Sequence, residues 1–289
     1  MAPEAGSTPG AFGSHPGDVA TGLARGFAHG HPALVAYLMA GFPDRARSLE
    51  ALRVIAAAGA DVIELGVPYS DPLADGPVIV SAAEEARSAN SGGFGLAETL
   101  ALAADFLADP GAPDAPPVAL MTYLNPMMRF GFERLAAAAA EAGVSGFIVP
   151  DLPPDNPFSG RWMQAAERRR LDTVFLVAPT SPPDRIEIVA QASQGFVYVV
   201  SSLGVTGERA KLPPELSALV ERVKSLRGGN RDPRIPVAVG FGLSTPDQAA
   251  EVGRMADGVI VGSAIVRRQS DPTALATFVA DLAAAVHAV

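Results

Sequence analysis

Short apolar runs punctuate the chain at fairly regular intervals, at residues 34–39, 62–65, 118–121, 147–149, 174–177, 196–200, 237–239 and 258–261. Continuous runs of this length suit strands buried on both faces, as in a parallel sheet. Helical patterns lie between them. Leu49, Leu52 and Ala56 recur at an i, i+3, i+7 spacing, and Gly59 offers a left-handed stop. Thr245-Pro246-Asp247-Gln248 combines a capping Thr, a Pro in the first turn and a Gln at the reciprocal position. After Asp271-Pro272, the residues Leu275, Phe278, Val279 and Leu282 share one face. Further helices are predicted over 133–142, 157–170, 183–192 and 214–226. The stretch from Val78 to Pro117 is long enough for two helices, broken at Ser91-Gly92-Gly93, with 110–117 as an exposed connector.

Eight strand–helix units predict a single closed (β/α)8 barrel, the TIM barrel of the α/β class. The competing open doubly wound sheet, in its dinucleotide-binding form, wants a GxGxxG turn after the first strand. Ala40-Gly41-Phe42-Pro43-Asp44 stands there and does not fit. Residues 1–30, with Gly6, Pro9, Gly10, Gly13, Pro16 and Gly17, lack a sustained apolar period. They read as an N-terminal arm with a short helix around 21–27, and residues 31–289 as the catalytic barrel.

Composition narrows the chemistry. The 289 residues suggest two domains at about 150 residues each, yet α/β barrels reach about 250 residues as one domain. A net charge of −9 argues against an extended nucleic-acid surface, and Arg168-Arg169-Arg170 reads as a solvated helix end. No apolar stretch approaches the roughly 18 residues that span a bilayer. The first 30 residues lack the charged start and apolar core of a secretory signal, so the cytoplasm is the expected location. The absence of cysteine removes disulfides, thiolate catalysis and cysteine-held metals.

In such a barrel the functional groups gather at the C-terminal ends of the strands. Glu64 interrupts the second apolar run near its end, and Asp75 follows in a loop rich in Pro and Gly. A carboxylate in an apolar mouth is costly when ionised, so its pKa rises toward neutrality and suits proton transfer. The alternative is an ion-paired structural Glu64, with Asp71 or Asp75 holding the turn. Glycine turns follow the last three strands: Gly204-Val205-Thr206-Gly207, Gly240-Phe241-Gly242 and Gly262-Ser263. They let a phosphate approach backbone N–H groups, although ordinary βα turns also contain glycine. Tyr123 and Asn125 follow the third strand, Asp151 follows the fourth and Tyr198 lies within the sixth. Each is also compatible with a buried side chain whose polar tip is satisfied.

The four histidines, His15, His29, His31 and His287, lie in the N-terminal region or the last helix, away from the strand ends. This argues against a histidine acid/base or a histidine-held metal. Neither lysine, Lys211 or Lys224, sits at a strand end, which argues against imine chemistry.

The segment from Glu64 to Pro77, ELGVPYSDPLADGP, resembles the signature of the tryptophan synthase alpha chain family. The resemblance extends to 37–43 (YLMAGFP), 121–126 (MTYLNP), 149–153 (VPDLP), 198–207 (YVVSSLGVTG), 239–242 (VGFG) and 261–263 (VGS). It implies retro-aldol cleavage of indole-3-glycerol phosphate to indole and glyceraldehyde 3-phosphate, with no metal and no cofactor in this chain. Glu64 then matches the principal acid/base and Asp75 the carboxylate that binds the indole N–H. Glu64 or a neighbour such as Tyr198 takes the glycerol hydroxyl proton. Tyr37, Tyr123 and Phe241 position the ring, and Gly207, Gly242, Gly262 and Ser263 hold the phosphate. Thr206 matches a residue of a mobile lid that closes over Asp75. The resemblance also implies an allosteric alpha2beta2 assembly in which a beta chain carrying pyridoxal phosphate receives the indole. Pro68 and Asp71 match loop positions at that contact. The lid carries Ser202-Leu203 where many relatives have a basic residue.

Two other readings remain open on the sequence. One is a different phosphate-handling barrel enzyme, which would be expected to use another acid/base set. The other is a non-catalytic partner subunit.

Overall fold

The structure, a computed structural model, describes residues 22–73, 75–90, 92–109, 114–201, 215–226, 235–240 and 242–289. Thr206, Gly207 and Phe241, together with Ser202-Leu203, lie outside the described residues. The strands are β1 (Ala33–Met39), β2 (Val62–Gly66), β3 (Val118–Met121), β4 (Gly146–Ile148), β5 (Asp172–Val174), β6 (Leu176–Val177), β7 (Val197–Val200), β8 (Val237–Gly240) and β9 (Gly258–Val261). All pairings are parallel, in the order β5-β4-β3-β2-β1-β9-β8-β7-β6.

The fifth predicted strand is therefore two. At Phe175 the backbone N–H turns to the Ser193 hydroxyl at 3.4 Å, while the carbonyl accepts Tyr198 N–H at 3.1 Å. β5 continues the ladder to β4 and β6 continues it to β7, so the two edges of the sheet meet at Phe175 and the barrel closes.

The helices are α1 (Arg45–Ala57), α2 (Pro77–Ala89), α3 (Leu96–Leu107), α4 (Leu124–Phe130), α5 (Phe132–Glu141), α6 (Ser159–Arg168), α7 (Pro183–Ala192), α8 (Leu216–Ser225), α9 (Pro246–Gly253), α10 (Ser263–Val266) and α11 (Pro272–His287). Two helices do fill the long crossover between β2 and β3. The short helices α4 and α10 were not expected from the sequence. The Thr245 side chain caps α9 by accepting Gln248 N–H, and Asp271 caps α11 by accepting Thr273 and Ala274 N–H. Gln248 reciprocates one residue early, accepting Ser244 N–H at 2.9 Å.

Strand alternation divides the core into two layers. Leu34, Ala36 and Leu38 of β1 join the layer between sheet and helices, while Val35, Tyr37 and Met39 point into the barrel. Trp162 of α6 anchors the outer layer: it is fully buried, lies edge-on to Phe147 at 4.7 Å and donates to Thr173 Oγ1. The barrel floor is filled from the arm. A short 3-10 helix, Gly22–Phe27, inserts Leu23 at 0% exposure among the inward residues. The Asp172 carboxylate accepts Leu23 N–H at 2.7 Å, and Phe27 packs on Phe196 at 5.3 Å. Six residues of the arm thus complete the barrel core.

Candidate active site

The parallel register brings the first chemical groups together. Tyr37 of β1 lies opposite Glu64 of β2, and Glu64 lies opposite Ala119 of β3. All three are inward positions, and the small Ala119 leaves space beside the carboxyl group. Glu64 is 1% exposed and its Oε2 has no hydrogen-bond partner among the described residues. Burial, followed by the nearby charge of Asp75, pushes its pKa up to about 8. Glu64 therefore stays mostly protonated at neutral pH, as the apolar strand context predicts.

Asp75 comes back over the mouth from the β2–α2 loop and is 9% exposed. Its two oxygens differ. Oδ2 accepts the Tyr123 hydroxyl at 3.0 Å, whereas Oδ1 is buried without a partner among the described residues. Burial pushes its pKa up to about 6, and the Tyr123 hydrogen bond pulls in the opposite direction. Two buried carboxyl groups are thus held on opposite sides of neutrality, one an acid and one an anion near pH 7.

Phenols surround the pair. Tyr37 and Tyr198 are both buried, and burial together with the carboxylate charges raises each well above the ordinary phenol value. Both remain neutral donors across the working pH range. Glycine makes room for them. A Cβ on Gly66 would stand 2.1 Å from the Tyr37 hydroxyl, and one on Gly240 would stand 2.4 Å from the Tyr198 hydroxyl. Tyr123 stacks obliquely on Tyr69 at 5.3 Å, and Asn125 donates to the Tyr69 hydroxyl at 3.3 Å. Asp151 Oδ1 accepts Leu124 N–H at 2.9 Å, which fixes the start of α4 behind Tyr123.

On the other side of the mouth, Gly262 precedes α10 and Ser263 is its first residue. A Cβ on Gly262 would lie 3.8 Å from both Ile79 and Tyr37, so this turn borders the same cavity. Gly242 follows β8 with φ +80°, a conformation that favours glycine. In the β2–α2 loop Asp71 is exposed, but Pro68 is buried within the chain.

Several contributors were not foreseen. Leu176 and Val200 are half-buried and pack against the inward cluster at the strand ends, adding apolar wall to the mouth. Tyr69 was not recognised as a buttress for Tyr123. The period-2 alternation of β6 and β7 is a sequence signal that could have identified Leu176 and Val200 as inward residues. Nothing local to Tyr69 announces its stacking partner, which lies 54 residues away in the chain.

The family model described as tryptophan synthase alpha chain matches residues 23–287. Among similar proteins, the tryptophan synthase alpha chain of Mycobacterium intracellulare is 44% identical over 260 residues, covering 89% of this chain and 90% of that one. The tryptophan synthase alpha chain of Synechococcus sp. (strain CC9902) is 46% identical over 242 residues, covering 83% and 84%. A solved structure of Mycobacterium tuberculosis tryptophan synthase superposes with a TM-score of 0.81 at 40% identity, covering 93% of this chain and 99% of that chain. A structure of tryptophan synthase subunit alpha from Legionella pneumophila gives a TM-score of 0.80 at 31% identity, with 93% and 100% covered.

Proposed function

Because the chain belongs to the tryptophan synthase alpha chain family, we infer that it is a carbon–carbon lyase that cleaves indole-3-glycerol phosphate in tryptophan biosynthesis. The observation that carries the mechanism is the pair of buried carboxyl groups, Glu64 and Asp75, each with one oxygen lacking a partner among the described residues.

Cleavage needs a proton delivered to indole C3 and a proton removed from the glycerol hydroxyl next to the scissile bond. Protonated Glu64 gives its proton to C3. The indole nitrogen then carries developing positive charge, and Asp75 stabilises it by accepting the N–H on Oδ1 while Tyr123 holds Oδ2. As the C–C bond breaks, the hydroxyl carbon becomes the aldehyde and the Glu64 carboxylate takes the hydroxyl proton. One proton given and one taken return Glu64 to its starting state. The raised pKa of Tyr198 supports a role as a hydrogen-bond donor beside Glu64 and weighs against a phenolate base.

Tyr37, Tyr123 and Phe241 are assigned to the indole ring, and Gly207, Gly242, Gly262 and Ser263 to the phosphate. Thr206 is assigned to the lid. The proton balance asks for no electron sink or redox group in this chain, and pyridoxal phosphate is assigned to a partner beta chain. That partner is proposed to dock at the mouth, where Asp71 is exposed and Leu73 is 73% exposed. In this conformation the buried Pro68 shapes the docking loop from beneath. The proposed location is the cytoplasm, and no helix among the described residues is long and apolar enough to cross a membrane.

The test is turnover of indole-3-glycerol phosphate by the purified chain with a beta chain present, beside Glu64→Gln. Wild-type turnover with a loss of at least about 10²-fold in the variant is expected. No wild-type turnover, or a fully active variant, overturns the reading.

A further inference from the structure

The histidines that lie far from the catalytic mouth meet at the opposite end of the barrel. His31 precedes β1, Asp61 precedes β2 and His287 ends α11. One ligand atom from each lies within 4.8 Å of the others. The His31 and His287 rings are 3.9 Å apart between centroids, and His29 stacks on His31 at 5.7 Å. We propose that His31, Asp61 and His287 form a binding site for a divalent transition-metal ion of the zinc type at the barrel floor, clipping the C-terminal helix to the starts of β1 and β2.

The hydrogen bonds around the cluster prepare it for this. His31 Nδ1 lies 3.0 Å from the Pro32 carbonyl oxygen. A carbonyl can only accept, so Nδ1 carries the proton and the lone pair of the neutral ring is on Nε2. A ligating histidine is oriented in the same way when its other nitrogen donates to a backbone carbonyl. Asp61 Oδ2 is fixed by Leu34 N–H at 2.7 Å, and His287 Nε2 lies 2.8 Å from the same oxygen. In the ion-free state His287 donates to Asp61. When an ion enters, the His287 proton moves to Nδ1 and Nε2 turns its lone pair inward.

Two imidazoles and one carboxylate favour a borderline ion such as Zn²⁺ over Mg²⁺ or Ca²⁺, which prefer all-oxygen sites. Metal–ligand bonds of about 2.0–2.2 Å in a tetrahedral site put donor atoms about 3.3–3.5 Å apart. His287 Nε2 and Asp61 Oδ2 need to part by roughly 0.5 Å, and a pair at the 4.8 Å limit needs to close by roughly 1.4 Å, changes that side-chain rotation supplies. His31 and His287 are half-buried, and the solvent side leaves the fourth position to water. The proposed site departs from the sequence expectation of no histidine-held metal, which rested on the distance of the histidines from the strand ends.

The experiment is titration of the full chain with Zn²⁺ alone, read by calorimetry, beside His31→Gln and His287→Gln. One saturable equivalent is expected in the wild type, with affinity at least about tenfold weaker in each variant. Histidine side-chain NMR of the wild-type chain gives a second reading that does not depend on the variants folding. The His31 and His287 ring nitrogens are expected to shift together and saturate at one equivalent. Absence of saturable binding, equal binding by the variants, or shifts confined to other histidines overturns the proposal. In each of those cases the cluster is only a hydrogen-bonded tie for α11.

Discussion

Glu64 and Asp75 share a cavity but hold their protons at different pH, and their surroundings set the difference. Glu64 faces Tyr37 and Ala119 across the strands, whereas one Asp75 oxygen rests on the Tyr123 hydroxyl. The proposed mechanism uses Glu64 protonated and Asp75 ionised, so kcat/KM should follow a bell with limbs near about 6 and about 8. As the two groups interact, these limbs belong to the pair. Tyr123→Phe removes the bond that lowers Asp75, and its acidic limb should move up by roughly one to two units, since a hydrogen bond to a charged group contributes about 1.5–3 kcal/mol. An unmoved limb in a pH–rate series contradicts that role for Tyr123.

Stability carries the same signature. The native state binds the Glu64 proton more tightly than the unfolded chain does, so its contribution is fully favourable below about 4.5 and declines as pH rises through about 8. At 1.36 kcal/mol per unit, the whole span is on the order of 4–5 kcal/mol. Denaturant melts at pH 5 and pH 8 should show the wild type losing on the order of 3–4 kcal/mol relative to Glu64→Gln, and parallel curves argue against it. The burial of Glu64 and the upward push on its pKa were legible because a carboxylate breaks an apolar strand. The partner of Asp75 was not, because Tyr123 is 48 residues away and only the closed barrel joins them.

At the scale of elements, the long strands and helices were readable because burial on both faces leaves continuous apolar runs and because caps such as Asp271 are local. The failures have equally local causes. α4 is seven residues long and contains Pro126, and α10 is four residues long, so neither builds a helical period. The break at Phe175 depends on Ser193, a residue of the next connection. The 3-10 helix of the arm has too few residues to show which of its side chains is buried. Leu23→Ala tests its importance directly. Removing a fully buried leucine should lower unfolding free energy by about 2–5 kcal/mol in chemical denaturation, whereas a loss under about 0.5 kcal/mol would mean that the barrel floor is closed without it.

The whole molecule separates its work between two ends. The C-terminal face carries the carboxylates, the phenols and the exposed loop of Asp71 and Leu73, while the opposite face carries Leu23, Asp172 and the histidine cluster. This division follows from the barrel itself, in which the βα loops converge at one end and the other end stabilises. Docking of a beta chain at the mouth predicts that Leu73→Ser weakens association about tenfold, as expected for a truncated apolar contact worth about 1–2 kcal/mol. Titration calorimetry with the beta chain reads this, and an unchanged Kd moves the interface elsewhere.

In the proposed mechanism one carboxyl group, Glu64, stays protonated at neutral pH inside an apolar mouth to serve as the acid. Infrared difference spectroscopy of wild type against Glu64→Gln across pH observes that proton through the carboxylic C=O band. The predicted result is a band present at pH 7 that titrates away with a midpoint near about 8. A band already lost at pH 7, with a midpoint close to the ordinary glutamate value, contradicts the account.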